Sequence, residues 1–162
     1  MEIIQVGKTK GVELEGLERH FGKLVSGFAK VTVKTVAEVK PSRTFTHERC
    51  KEEEGVAILK VLAEDCFVIV LSEEGRQFSS VEFAAKLGGL LDKGQKVVFV
   101  IGGAFGLSDK VKARADLLLS LSPMTFTHQM VRVILLEQVY RAFCILRGKE
   151  YHHGGGKKFI LY

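Results

Sequence analysis

Several common signatures are missing from this chain of 162 residues. Its three cysteines, Cys50, Cys66 and Cys144, are an odd number without CxxC spacing. Structural disulfides, a zinc ribbon and any other metal site are therefore not expected, and a reducing cytoplasm fits best. No apolar run approaches the ~18 residues that mark a membrane span. The opening stretch MEIIQVGKTK has no basic region followed by a long apolar one, so no secretory signal is expected. Nucleotide-phosphate motifs are also absent. There is no Walker motif, and the stretch VVFVIGGAFGLS at residues 97–108 is not G-x-G-x-x-G. It follows a late strand rather than the first. No acidic residue stands about 20 positions on to hold a ribose hydroxyl, the nearest being Asp109 and Asp116.

What is present describes one soluble domain. The composition is 46% hydrophobic and 27% charged, and the length is enough for a single core. The net charge of +5 allows a nucleic-acid partner without requiring one. The excess falls in short clusters, at Lys8 and Lys10, Lys40 and Arg43, residues 110–114 and residues 147–158. Any one of them taken alone reads as a solvated surface.

Periodicity predicts alternating strands and helices. Residues 3–6 read as a short strand, and residues 14–25 as a helix with Leu14, Leu17, Phe21 and Leu24 on one face. The β-branched run at 30–39 reads as a strand, 40–46 as a loop and 47–62 as a helix. FVIVL at 67–71, VVFVI at 97–101 and LLLSL at 117–121 are apolar on both faces. That marks a parallel sheet covered by helices on each side, an α/β fold. Ser79 and Glu82 form a capping box for a helix through Leu91, which Gly88 and Gly89 weaken late. Ser108 is read as the cap of a short helix through Ala115, and Thr127 as the cap of a long one to about Arg147.

Ligands of open α/β sheets sit outside the carboxyl ends of the strands. Three loops leave such ends, at 72–78, 102–107 and 122–127, and are expected to converge. Gly102, Gly103 and Gly106 either permit only a tight turn or let backbone approach a nucleoside closely. A cofactor without phosphates would need no anion cradle. The last helix is apolar almost all round, which predicts burial on two sides and, with it, a homodimer. Glu137 and Arg141 on this helix can pair at i, i+4.

IGGAFGLS, LSLSPMTFTHQMVRVILLEQVYRAF and RGKEYHH, in that order, resemble the ribosomal large-subunit RNA methyltransferase H family of the SPOUT superfamily. The resemblance runs over nearly the whole chain. It implies a single-domain parallel-sheet fold with a C-terminal trefoil knot, which topology rules alone would have excluded. It also implies a homodimer that uses S-adenosylmethionine to methylate N3 of a pseudouridine in large-subunit ribosomal RNA. By position, Leu71 and then Gly102 and Gly103 match family cofactor contacts, as do Leu121, Ser122, Pro123, Met124, Thr125 and Phe126. Arg141 and His152 are the expected catalytic residues, with Tyr151 stacking on or positioning the base. His128 is expected to be a helix-start residue and His20 an exposed one.

Residues 1–153 are read as the methyltransferase domain. Residues 154–162 (GGGKKFILY) extend past the point where family chains end, and their role is unassigned. Two rival functions stand beside this reading. One is a non-catalytic RNA-binding or ribosome-assembly protein of the same fold, and the other a transfer RNA methyltransferase.

Overall fold

Runs that are apolar at every position become the centre of a five-stranded parallel sheet. The structure, a computed structural model, describes residues 1–42, 45–149 and 151. The strands are β1 (Glu2–Val6), β2 (Thr32–Val36), β3 (Phe67–Gln77), β4 (Val97–Ile101) and β5 (Leu117–Ser120), in the order β2-β1-β4-β3-β5. All four pairings are parallel. β4 is buried at all of its positions, whereas edge strand β2 buries only Val36. Strands covered on both faces need apolar residues facing both ways, and VVFVI supplies them.

Helices lie on both faces of the sheet, as expected. α1 (Val12–Ser26), α3 (Ser80–Asp92) and α5 (His128–Leu146) cover one face. There Ile3, Ile69, Phe99 and Leu119 pack with Val25, Leu87, Leu135 and Phe143. α2 (His47–Val61) and α4 (Asp109–Ala113) cover the other, where Val68, Val70, Val98 and Val100 meet Ile58 and Val111. Alternate residues of each strand supply the two cores, because successive side chains point to opposite faces.

The capping box at α3 forms as expected. The Ser79 backbone N–H donates to Glu82 Oε2 at 2.8 Å, and the Glu82 N–H donates to Ser79 Oγ at 3.2 Å. Ser79→Ala is expected to cost about 1 kcal/mol and to lower Tm by about 2–4 °C, read in a thermal melt. Thr127 caps α5 by accepting from the Met130 N–H at 3.3 Å. Gly88 and Gly89 do not end α3, which continues to Asp92. A Cβ on Gly88 would lie 2.8 Å from Leu146 Cδ2, so this glycine lets α3 and α5 approach each other.

Two readings are corrected. The Ser108 hydroxyl makes no capping bond. It is buried against Gly55, where a Cβ would stand 2.2 Å from Ser108 Oγ, and it seats the start of α4 on α2. The stretch after Leu71 is not a simple loop. Residues 72–75 leave the ladder, and β3 resumes at Arg76 and Gln77, with Leu71 and Arg76 both paired to Leu119. Gly75 crosses β5 so closely that a Cβ would lie 2.6 Å from the Leu118 carbonyl carbon and 2.7 Å from that of Leu119. The last helix, α5, packs against α1, α3 and β4 within one chain. Part of its apolar surface is buried there, while Met130 and Leu146 stay exposed.

Candidate active site

The irregular middle of β3 and the loops after β4 and β5 open onto one cleft of about 990 Å³. Of the three segments singled out in the sequence, 102–107 and 122–127 meet there as loops, and 72–78 contributes residues 72–74 from within β3. Leu71, Gly102, Gly103, Leu121, Ser122, Met124, Thr125 and Phe126 all line the cleft, and Pro123 is the one member of the set that does not.

The glycine turn closes on itself. The Gly106 N–H donates to the Gly103 carbonyl at 3.2 Å, and Gly106 has φ +83°, a left-handed conformation that favours glycine. A Cβ on Gly102 would stand 2.8 Å from Leu107 Cγ and 2.9 Å from the Gly106 carbonyl oxygen. What the turn offers the cleft at these positions is main chain.

Beneath it lies Glu54, 2% exposed, whose Oε1 accepts from the Val39 N–H at 2.9 Å. A Cβ on Gly103 would come within 2.7 Å of Glu54 Oε2. Burial pushes the Glu54 carboxyl above its usual range against the opposing pull of the Val39 N–H, and the charge of Glu38 adds to the rise. Glu54 ends the run Glu52-Glu53-Glu54 on a helix whose first half is charged, so nothing in the sequence set it apart from its solvated neighbours.

Side chains lace the walls together. Thr125 Oγ1 donates to Glu73 Oε2 at 2.8 Å, and Lys112 Nζ meets Glu74 Oε2 at 2.8 Å. The Lys112 ammonium holds the Glu74 carboxyl below its usual range. Within the third loop, Ser122 Oγ accepts from the Met124 N–H at 2.9 Å.

The first turn of α5 forms the remaining wall, with His128 and Gln129. Burial lowers the His128 pKa, and the nearby Arg132 charge lowers it further. Arg132 is 1% exposed. It donates to the Val6 carbonyl oxygen and, at 2.8 Å, to Thr9 Oγ1, while Thr9 donates in turn to Glu18. The Lys10 N–H donates to Gln129 Oε1 at 2.7 Å. These bonds tie the loop after β1 to the cleft end of α5. In the sequence Arg132 is one of the few polar residues of an apolar helix, and nothing there marks it as buried.

Arg141 and Tyr151 lie elsewhere. Arg141 Nε donates to Glu137 Oε1 at 3.1 Å, and its guanidinium sits 4.9 Å over the Tyr151 ring. The Tyr151 hydroxyl donates to the same oxygen at 3.3 Å, and burial raises its pKa, with the Glu137 charge adding to the rise. Neither residue lines the cleft. Thirteen residues separate Arg141 from His128, a rise of ~20 Å along α5. His152 and residues 154–162 lie outside the described residues. Among the described residues no group of three or more His, Cys, Asp or Glu is placed to hold a metal, and no helix is long and apolar enough to cross a membrane.

Residues 1–152 match the family described as predicted SPOUT methyltransferases. Curated relatives named ribosomal RNA large subunit methyltransferase H share 44% identity over 156 residues in Bacillus thuringiensis (94% of this chain and 98% of the relative). The one from Geotalea daltonii is 41% identical over 154 residues, covering 94% and 99%. A solved structure described as a probable methylase family protein from Haemophilus influenzae Rd KW20 superposes with TM-score 0.50 at 16% identity. The match covers 93% of this chain and 67% of that one, and it bears on the fold alone.

Proposed function

Since the chain belongs to the SPOUT methyltransferase family, we propose that it methylates N3 of a pseudouridine in large-subunit ribosomal RNA, drawing the methyl from S-adenosylmethionine. The meeting of the β3 irregularity with the loops after β4 and β5 on one cleft carries this reading. A volume of about 990 Å³ suits a nucleoside cofactor. The glycine turn presents main chain to the cleft, and the absence of a side chain on Gly102 lets Leu107 and Gly106 close in behind it. In this proposal Leu71, Gly102 and Gly103 hold the cofactor from one side. Leu121, Ser122, Met124, Thr125 and Phe126 hold it from the other, and Pro123 shapes their loop. The trefoil knot belongs to the same proposal and rests on membership of the family.

S-adenosylmethionine supplies, when bound, a methyl group on a sulfonium that is already a good leaving group. The chain must then align the base and accept the N3 proton. Positioning of this kind contributes ~7–11 kcal/mol in favourable cases. Arg141 stabilises negative charge developing on the uracil oxygens, Tyr151 orients the ring, and His152 takes the proton. The ~20 Å between Arg141 and the cleft along α5 means that one chain does not complete the site. A homodimer in which Arg141 of the partner subunit reaches the cleft does.

Incubation with methyl-labelled S-adenosylmethionine and ribosomes or separated subunits, followed by mass mapping, tests the function. One methyl in large-subunit RNA is expected. No label in any RNA refutes the assignment, and label in transfer RNA moves it to that substrate. The shared site has its own test. Gly102→Val, whose side chain would run into Leu107 and the Gly106 main chain and distort the cofactor turn, and Arg141→Ala are each expected to be inactive. Mixing and reassociating them restores about one quarter of wild-type activity, since half of the dimers are mixed and each has one intact site. No recovery in verified mixed dimers refutes the shared site.

A further inference from the structure

The aromatic residue in the glycine turn has no part in the scheme above. Phe105 stands between Ala104 and Gly106, both exposed, and lines the cleft at its rim. Its ring is half-buried and stacks on His47, the exposed first residue of α2, with centroids 4.1 Å apart and planes at 13°. This pair is not part of either hydrophobic core.

One cation shares its face of α2. Lys51, one turn along α2 from His47, also lines the cleft. Arg49 is exposed and holds its guanidinium 4.7 Å over the Phe45 ring. The neighbouring acids Glu48 and Glu52 are paired with Lys51 and Lys110, at 2.7 and 3.5 Å, which softens their repulsion of a polyanion. Planar π faces alternating with cations are what single-stranded RNA requires. Its bases stack on aromatic rings and guanidinium planes while positive charge tracks the backbone.

We propose that the His47–Phe105 stack at the cleft mouth is a platform for an unstacked nucleobase of the substrate RNA, flanking the nucleotide that enters the cleft. The platform rests on the reading of the protein as an RNA methyltransferase and adds to it a recognition site outside the cofactor contacts. A base stacked there would hold the RNA loop open beside the cleft, with Lys51 on the same face of α2 to meet its phosphates.

The test uses the full-length protein, a fluorescein-labelled hairpin RNA with a single-stranded loop, and separate titration with S-adenosylmethionine. Phe105→Ala and His47→Ala are each expected to weaken hairpin binding about tenfold, while Phe105→Trp retains it. Cofactor affinity stays within about twofold, and melting temperatures match wild type. Unchanged hairpin affinity in a folded Phe105→Ala protein overturns the platform, as does failure of the wild type to bind the hairpin. A parallel loss of cofactor affinity also overturns it, because Phe105 then belongs to the cofactor wall. If the platform variants behave as expected but the wild type methylates no RNA, the methyl-transfer reading falls and the binding site stands.

Discussion

Arg141→Ala lowers methyl transfer by about 10²–10³, the scale seen when one donor to a developing oxyanion is removed, and leaves cofactor affinity within about twofold. The second half follows from placement. Arg141 lines no part of the cleft, and its contacts are Glu137 and the Tyr151 ring. Side chains of the pair are 24% and 18% exposed. A pair this far buried is not a surface pair, and removing Arg141 leaves the Glu137 carboxylate short of its cation, at a cost of about 1–3 kcal/mol. A purely structural role therefore predicts a lowered Tm with near-normal turnover by the protein that remains folded. The catalytic role predicts collapsed turnover at temperatures where the variant is fully folded. Single-turnover transfer to ribosomes, measured beside calorimetric titration of S-adenosylmethionine, separates the two. Near-normal turnover removes Arg141 from the mechanism.

Gly75→Ala unfolds the protein more easily and weakens the cofactor at the same time. An added Cβ would meet three main-chain atoms of Leu118 and Leu119 at 2.6–2.7 Å, none of which can rotate away. The strands must part, at a cost of about 3 kcal/mol, and Tm falls by about 6–12 °C. Leu71, Ser72, Glu73 and Glu74 line the cleft just before this crossing, and Thr125 is bonded to Glu73. Moving Gly75 shifts that wall, and S-adenosylmethionine affinity drops about tenfold, equivalent to ~1.4 kcal/mol. Gly89→Ala is the control. Nothing lies within 4 Å of the added methyl, and alanine favours the helix, so stability holds or rises by up to ~1 kcal/mol. If the two variants melt alike, the crossing at Gly75 is not a tight point.

Much of the fold was legible because it depends on local pattern. VVFVI is apolar at each position and sits at the centre of the sheet. Ser79 with Glu82 and Thr127 alone mark helix starts that form as expected. That the loops at 102–107 and 122–127 meet at the cleft followed from a general rule about strand ends. Partnerships across the chain were not legible. Arg132 bonds to Thr9, 123 positions away, and nothing near either residue announces it. Glu54 sits beneath the glycine turn but reads as one carboxylate in a charged run. Residues 72–75 break the ladder because of the path β5 takes beside them, and their own composition does not say so. The catalytic expectations came from resemblance, and the folded chain shows that Arg141 and Tyr151 line no part of the cleft.

The strand order has a consequence for synthesis. Ile4 in β1 pairs with Val100 in β4, 96 positions later in the chain. At ~5–20 residues per second, β1 waits ~5–20 s after emerging before its central neighbour exists. It can pair with β2 early, but its other edge stays open meanwhile, and unpaired apolar edges invite association with other chains. Yield during rapid expression should therefore depend on how quickly the ribosome reaches β4, and slowing translation between β2 and β4 should lower it.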